Sequence, residues 1–289
     1  MSNAGLIFGC AIMAFSPLVF LFVFIAFSKA HLMIVVTTAA FAYLVAALLT
    51  SLVWLPIPTS LSTNAVLLIL PSVVMQTICR CGYVSIFHKV EGAIVASIKL
   101  HEQELESTMT QGRTTAREQP PDAVRLRFEL NDWTCGLSAG IGYSFMKALM
   151  LYGTLLAHEA SIPEGTLYQP SCPRIPSVVN SAMTTLLFSL LDILLVLITF
   201  CGMRRRRYLK QQKSGNMALA CSFVCHLLGG FATAFNQLDN GCVIALPCLS
   251  LALLGTAIYF VWGIGLRTYL PKAQRKMNLQ ARQRSQLSS

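Results

Sequence analysis

The 289 residues are 55% hydrophobic and 12% charged, with a mean hydropathy of +0.61, which excludes an ordinary soluble domain and points to the bilayer. The net charge of +10 does not indicate nucleic acid, because the basic residues cluster in loops between apolar runs, where they set orientation. Nor do the ten cysteines indicate a disulfide framework: Cys10, Cys79, Cys81, Cys135, Cys201, Cys221, Cys225 and Cys248 lie in or at the ends of apolar runs, where cysteine behaves as a small hydrophobe.

Residues 4–28 form an apolar run whose first cation, Lys29, comes after it. A cleaved signal peptide carries its charge in front, so a retained first span is expected. A short turn leads to a second span, 32–55, stopped by Pro56 and Pro58, with Trp54 as an interfacial anchor. The third span, 64–87, is less apolar: Gln76, Arg80 and Tyr83 share one helical face. Arg80 lies about 12 Å from the cytosolic end by helix rise. It either snorkels to that interface or joins a polar interior with Gln76.

Residues 88–131 form the long hydrophilic segment. His88 to Met109 has the pattern of an amphipathic helical extension, and Gln111 to Asp122 that of a flexible linker. The charges are expected to be merely solvated. Asn131 or Asp132 then caps the fourth span, 133–157.

That fourth span carries Gly136-Leu-Ser-Ala-Gly140-Ile-Gly-Tyr-Ser144. Gly136, Gly140 and Ser144 recur every fourth residue and form a bare stripe where another backbone can approach. Lys147, the only charge in the span, returns to within about 20° of Gly136 at 100° per residue. A lysine near the bilayer middle costs roughly 3 kcal/mol or more without a partner, so the stripe predicts a packed neighbour bearing a polar group. Tyr143, off the stripe, is expected to accept leucine.

A loop containing Pro163, Gly165, Pro170, Pro173 and Pro176 follows, and then the fifth span, 178–202, with one charge, Asp192. It ends in Arg204-Arg205-Arg206-Arg207-Tyr208, a stop and orientation signal. Span six, 216–236, contains His226, span seven covers 241–265, and a basic tail, 271–289, is expected to be disordered. The result is an all-α polytopic membrane protein, a seven-helix bundle over residues 1–270. Of the 22 Lys and Arg, only Arg174 falls in a loop on the N-terminal side, so the N-terminus is predicted lumenal and the C-terminus cytosolic. Cys172 and Cys242 then face an oxidising lumen and are the one candidate bridge. The sequence holds no Asn-X-Ser/Thr acceptor.

Helix rise places Lys147 roughly 20 Å, Gln76 roughly 18 Å, Asp192 roughly 16 Å and His226 roughly 15 Å from the cytosolic ends of their spans. Polar groups of four helices thus share a layer, and buried ionisable groups pair with one another. A Lys147–Asp192 ion pair is expected, with His226 and Gln76 taking the remaining hydrogen bonds. Two alternatives stay open: Lys147 reaches a partner subunit, or a water-filled cavity solvates both charges.

Catalytic signatures are missing. There is no His-Glu-x-x-His, no Gly-x-Ser-x-Gly and, within the spans, one aspartate where an aspartyl protease needs two. No metal or cofactor motif is present: Cys221-x-x-x-Cys225-His226 is one residue too long for haem attachment. A seven-helix signalling receptor is the alternative, but Asp/Glu-Arg-Tyr and Asn-Pro-x-x-Tyr are absent where Cys81-Gly-Tyr and Tyr259-Phe-Val-Trp stand. An intramembrane enzyme using the Lys147, Asp192 and His226 layer ranks below it. No internal repeat suggests a transporter.

Several short motifs, in order, carry a resemblance. They are Phe8-Gly9-Cys10 with Ala14-Phe15-x-Pro17, Leu48-Leu49-x-Ser51-x-Val53-Trp54, Gln76-x-x-x-Arg80-x-x-Tyr83 and Gly136-Leu-Ser-x-Gly140. Arg205-Arg206-Arg207-Tyr208, His226-Leu227-Leu228 with Thr233 and Asn236, and Leu246-Pro247 with Leu266-Arg267 complete the set. Together they resemble the Aph (anterior-pharynx-defective) subunits of γ-secretase over nearly all seven spans. The resemblance implies a noncatalytic scaffold of the endoplasmic reticulum, Golgi and later secretory membranes. Its partners would be presenilin, which carries the catalytic aspartates, nicastrin and the presenilin enhancer. It also implies that Gly136 and Gly140 are ladder positions supporting assembly, and that His226 is one of two histidines lining a membrane-embedded cavity. Two departures stand out: Ser144 replaces the third ladder glycine, and Asp192 occupies the other histidine's place. The loop between spans three and four is also longer and more charged than is usual in that family.

Overall fold

A computed structural model describes residues 3–56, 65–110, 132–160, 168–207 and 211–265. The expected 111–122 linker, the motif residues Tyr208, Leu266 and Arg267, and the basic tail lie outside them. Among the described residues the elements are almost entirely helical. Six helices are long and apolar enough to cross a membrane, their apolar stretches covering Gly5–Ala26, Ala30–Trp54, Ile69–Ile94, Ser177–Arg207, Gln212–Gln237 and Cys242–Ile264. The other helical run of comparable length is a composite. It begins as α-helix Asp132–Ala148, passes through a π turn at Leu149–Gly153 and returns to α-helix at Thr154–Ala160. At about 20 residues per crossing, its apolar part also suffices, and the protein is a polytopic helical membrane protein.

We label the helices α1 (Asn3–Leu21), α2 (Ala30–Trp54), α3 (Ala65–Thr110), α4 (Asp132–Ala148), α5 (Thr154–Ala160), α6 (Ser177–Arg207), α7 (Gln212–Ala234) and α8 (Cys242–Ile258). Short π segments extend α1 at Phe22–Ala26 and α8 at Tyr259–Gly265. No break separates the third span from the charged segment after it; α3 runs on to Thr110. Beyond Gly92 that stretch contains no glycine or proline up to Thr110 and carries Ala, Glu, Leu and Ile, all compatible with continued helix.

Helix α6 is the axis of the bundle. Its most apolar stretch is 72% buried, against 17–28% in the other five spans. It shares one core cluster with α1, α4 and the π turn after α8, through Leu18, Leu137, Ile141, Ile193, Leu197 and Phe260. It shares another with α2, α3 and α4, through Val35, Tyr43, Val84, Ala139, Tyr143, Val196 and Phe200. Both clusters contain α4, which is therefore sandwiched between α2 and α6. Lipid tails are as apolar as leucine, so helices associate in a bilayer through close packing and polar contacts rather than through hydrophobic expulsion. The small residues of α4 make that packing feasible on two faces at once.

At one end of the bundle a two-stranded antiparallel hairpin, β1 (Tyr168–Gln169) and β2 (Cys172–Pro176), leads straight into α6. A disulfide joins Cys172 to Cys242 at the start of α8, with the two Cα atoms 5.6 Å apart. Backbone bonds from Asn240 to the Pro170 carbonyl (3.1 Å) and from Cys242 to the Ser171 carbonyl (3.1 Å) dock the hairpin on the α7–α8 turn.

At the opposite end, the arginines closing α6 grip three helices. Arg204 Nη2 reaches Glu91 Oε1 at 3.2 Å, and Arg207 donates to the Ser85 carbonyl at 3.1 Å. Arg205 donates to Ser214 Oγ at 2.9 Å and to the Ile264 carbonyl at 2.6 Å. The charged stretch after the third span is thus not merely solvated at its start. His88 is fully buried and bonds Glu91 through Nδ1 at 3.1 Å, so one carboxylate joins two residues that the sequence leaves in separate loops.

Candidate functional site

The small-residue stripe of α4 faces α6. A Cβ placed on Gly136 would meet the Leu197 side chain at 3.1 Å, and one on Gly140 would lie 3.0 Å from the Ile193 Cα and 3.3 Å from its carbonyl oxygen. Ser144 continues the row by donating its hydroxyl to the Ser189 carbonyl at 3.1 Å. Backbone therefore meets backbone at Gly140, and the stripe packs inside the chain rather than waiting on its surface.

A closer approach than Gly140's lies on the other side of the same helix, at Gly142. A Cβ there would overlap the Val36 carbonyl oxygen of α2 and sit 2.8 Å from its carbon. Gly142 is about 200° around the helix from Gly140, which was legible from the numbering but is outside the every-fourth pattern.

One helical turn beyond the stripe lies the polar layer, centred on Asp192. This aspartate is fully buried, and its carboxylate is shared between two cations from two other helices. Lys147 Nζ of α4 donates to Oδ2 at 2.7 Å, and Arg80 Nη2 of α3 donates to Oδ1 at 3.2 Å. Arg80 is 1% exposed and does not snorkel. Its guanidinium lies over the Tyr143 ring, 5.2 Å from the centroid, and Lys147 Nζ lies 4.5 Å from the centroid of Phe188. A buried acid is tolerable only when its lone pairs are occupied, and here two charged donors occupy both oxygens.

The sequence-level assignment of the remaining bonds needs correction. Gln76 does not bond Asp192: its Nε2 donates to Ser72 Oγ at 3.1 Å, and Oε1 is buried without a partner. His226 is 2% exposed, and its Nδ1 also lacks a partner among the described residues. Arg80 has taken the bond those two were expected to supply. Tyr143, expected to accept leucine, is 2% exposed. It donates to the Gln76 carbonyl at 3.3 Å and meets Tyr43 edge-on at 5.1 Å. Its aromatic face toward Arg80 could not be inferred without knowing which helices are neighbours.

Beside Lys147 lies a cavity of about 450 Å³ bounded by α3, α4 with its π turn, α6 and α7. Gln76, Lys147 and His226 line it at depth, and Gln169 of the hairpin, Asn180 and Asn236 line it toward the disulfide end. Its wall is mixed, with Ile69, Val73, Leu151 and Phe188 interleaved with these polar groups, and it adjoins the ion cluster.

The match to known proteins covers the same helices. A model of the Aph-1 protein family matches residues 6–265. The chain belongs to the Aph-1 family. Among curated proteins, one from Arabidopsis thaliana described as gamma-secretase subunit APH1-like is 24% identical over 262 residues, 88% of this chain and 92% of the relative. In this Aph-1 chain His226 lines the cavity wall. Asp192, at the place where the resemblance implied a second histidine, is held by Arg80 and Lys147.

Proposed function

We propose that this Aph-1 family chain is a noncatalytic assembly subunit of a γ-secretase-like intramembrane aspartyl protease. The observation that carries the reading is the family match over 6–265, which spans every transmembrane helix rather than one motif. The relative's description as a gamma-secretase subunit supports the same reading. The chemistry of the bundle agrees with it. Aspartyl proteolysis uses two carboxylates sharing a proton, whereas Asp192 has both oxygens engaged by cations.

In this reading the chain presents a rigid bundle to a presenilin-like catalytic subunit, a nicastrin-like subunit and a presenilin-enhancer-like subunit. The packing of Gly136, Gly140 and Ser144 against α6 fixes the shape those partners meet. Residues 1–270 are the transmembrane unit and 271–289 a basic tail. The loop charges support a lumenal N-terminus and a cytosolic C-terminus, which puts the disulfide end in the lumen and the arginine end in the cytosol. Residence in endoplasmic reticulum, Golgi and later secretory membranes follows.

Affinity capture of the tagged full-length chain in a mild detergent, with identification of bound chains by mass spectrometry, tests the proposal. A presenilin-like chain with Tyr-Asp and Gly-x-Gly-Asp motifs in near-equal amount is expected. Capture of heterotrimeric G-protein subunits instead, or of the chain alone from membranes that contain a presenilin, would overturn it.

A further inference from the structure

The charges of the polar layer do not balance. Arg80 and Lys147 supply two cations, and Asp192 is the one carboxylate bonded to either of them among the described residues. Both Asp192 oxygens are already engaged, while Nε and Nη1 of Arg80 are buried without hydrogen-bond partners. A residual charge of one positive unit therefore sits deep in a helix bundle, where an uncompensated charge is strongly disfavoured.

The cavity adjoins this charge on the Lys147 side. Lys147 is 8% exposed and lines the cavity, and an ammonium has three donors of which one is on Asp192. His226 and Asn180, 2% and 4% exposed, line the same space, and His226 Nδ1 and Asn180 Oδ1 have no partner. Gln76 Oε1 is likewise buried and unpartnered. Turned about its terminal bond, an amide presents NH₂ in place of its oxygen, and one tautomer of a neutral imidazole carries its proton on Nδ1. Gln76, Asn180 and His226 can thus each offer a donor to the space in front of the ammonium. A volume of about 450 Å³ holds a small ion together with its water, at about 30 Å³ per molecule.

We infer that the cavity beside Lys147 binds one small monovalent anion, admitted from the disulfide end, which neutralises the Arg80–Lys147–Asp192 cluster. The approach lined by Gln169, Asn180 and Asn236 is polar, which suits a free ion from the aqueous phase better than a lipid headgroup. The bound anion accepts from Lys147 while the carboxylate holds both cations in place. The charge count sets the stoichiometry at one, and it predicts opposite effects for removing a cation and removing the acid.

The test uses the full-length chain in detergent micelles, in gluconate buffer free of halide, with bromide as the probe and the ⁸¹Br NMR linewidth as the readout. Wild type is expected to give saturable broadening at one site per chain. Lys147→Gln leaves a neutral Arg80–Asp192 pair and is expected to weaken bromide binding roughly thirty-fold or more, the usual consequence of removing a buried charge partner. Asp192→Asn adds a unit of positive charge and is expected to tighten it. Thr184→Trp fills the cavity from an uncharged wall position outside the ion cluster, and is expected to block bromide with the cluster intact; it carries the test if Lys147→Gln does not fold. Absence of saturable broadening in wild type would overturn the inference, and so would unchanged binding in Thr184→Trp or in a folded Lys147→Gln.

Discussion

Asparagine in place of Asp192 keeps the size and much of the hydrogen-bonding shape of the side chain while removing the charge that answers both Arg80 and Lys147. Unit charges at 3.2 and 2.7 Å attract by roughly 5 and 6 kcal/mol at an effective dielectric of about 20, before desolvation is subtracted. Most of that gross attraction only offsets the burial of the ions, so the useful number is the loss on breaking the pair, about 3–5 kcal/mol when a buried partner is stranded. Asp192→Asn strands two partners and should reach the upper end of that range or exceed it. Lys147→Met leaves the Arg80–Asp192 bond, so it should cost less. The double variant Lys147→Met with Asp192→Leu, which a simple two-residue pair would make nearly self-compensating, leaves Arg80 without a carboxylate. It should therefore still cost about 3–5 kcal/mol, less than Asp192→Asn but far from wild type. Unfolding by sodium dodecyl sulfate in mixed micelles, followed by tryptophan fluorescence, supplies the comparison. Equal losses for Asp192→Asn and Lys147→Met, or a double variant close to wild type, would refute the three-residue cluster.

Gly142→Ala should destabilise the bundle more than Gly136→Ala, because its new methyl meets the Val36 backbone of α2 whereas a methyl on Gly136 meets flexible side chains; detergent melting curves of the two variants test the order. Gly140→Leu should reduce the stability of the isolated chain as well as the yield of any complex, since its neighbour is Ile193 of the same chain. Tyr143→Phe should cost about 1 kcal/mol for one hydrogen bond, and Tyr143→Leu more because it also removes the ring over Arg80; the same micelle titration separates them. Peptide mapping without reductant should recover Cys172 linked to Cys242, and Cys172→Ser with Cys242→Ser should lower stability by about 2–4 kcal/mol.

Helices were legible in the sequence because apolar length and loop charge are local properties. The third span and the charged stretch after it were separable by composition, yet the backbone has no reason to break there and continues to Thr110. The stripe of α4 was equally readable as a face, since every-fourth spacing fixes angular position. Its neighbour was not, because packing order is a long-range property, and that order is what makes α6 the axis. The polar layer illustrates the same limit. Depth arithmetic brought Lys147 and Asp192 to one level, and the 2.7 Å contact is consistent with it. Arg80 was estimated nearer the cytosolic end, but a guanidinium on a long flexible stem can extend several ångströms along the helix axis, and it reaches Asp192 where Gln76 and His226 do not. Gly142 escaped notice because it lies off the repeating pattern, and the Glu91 junction because His88 and Arg204 belong to different loops.

Asp192 also orders events while the chain is being made. Arg80 precedes it by 112 residues and Lys147 by 45. At roughly 5–20 residues per second of synthesis, Arg80 leaves the ribosome about 6–22 seconds ahead of its counter-ion. During that interval two cation-bearing spans have been made and the acid that will hold them has not. Spans three and four therefore carry unanswered cations until the fifth arrives, and the disulfide, whose second half is Cys242, fastens only after that. A nascent chain truncated between Lys147 and Asp192 should linger with the insertion machinery, whereas one ending beyond Asp192 should be released from it into the bilayer.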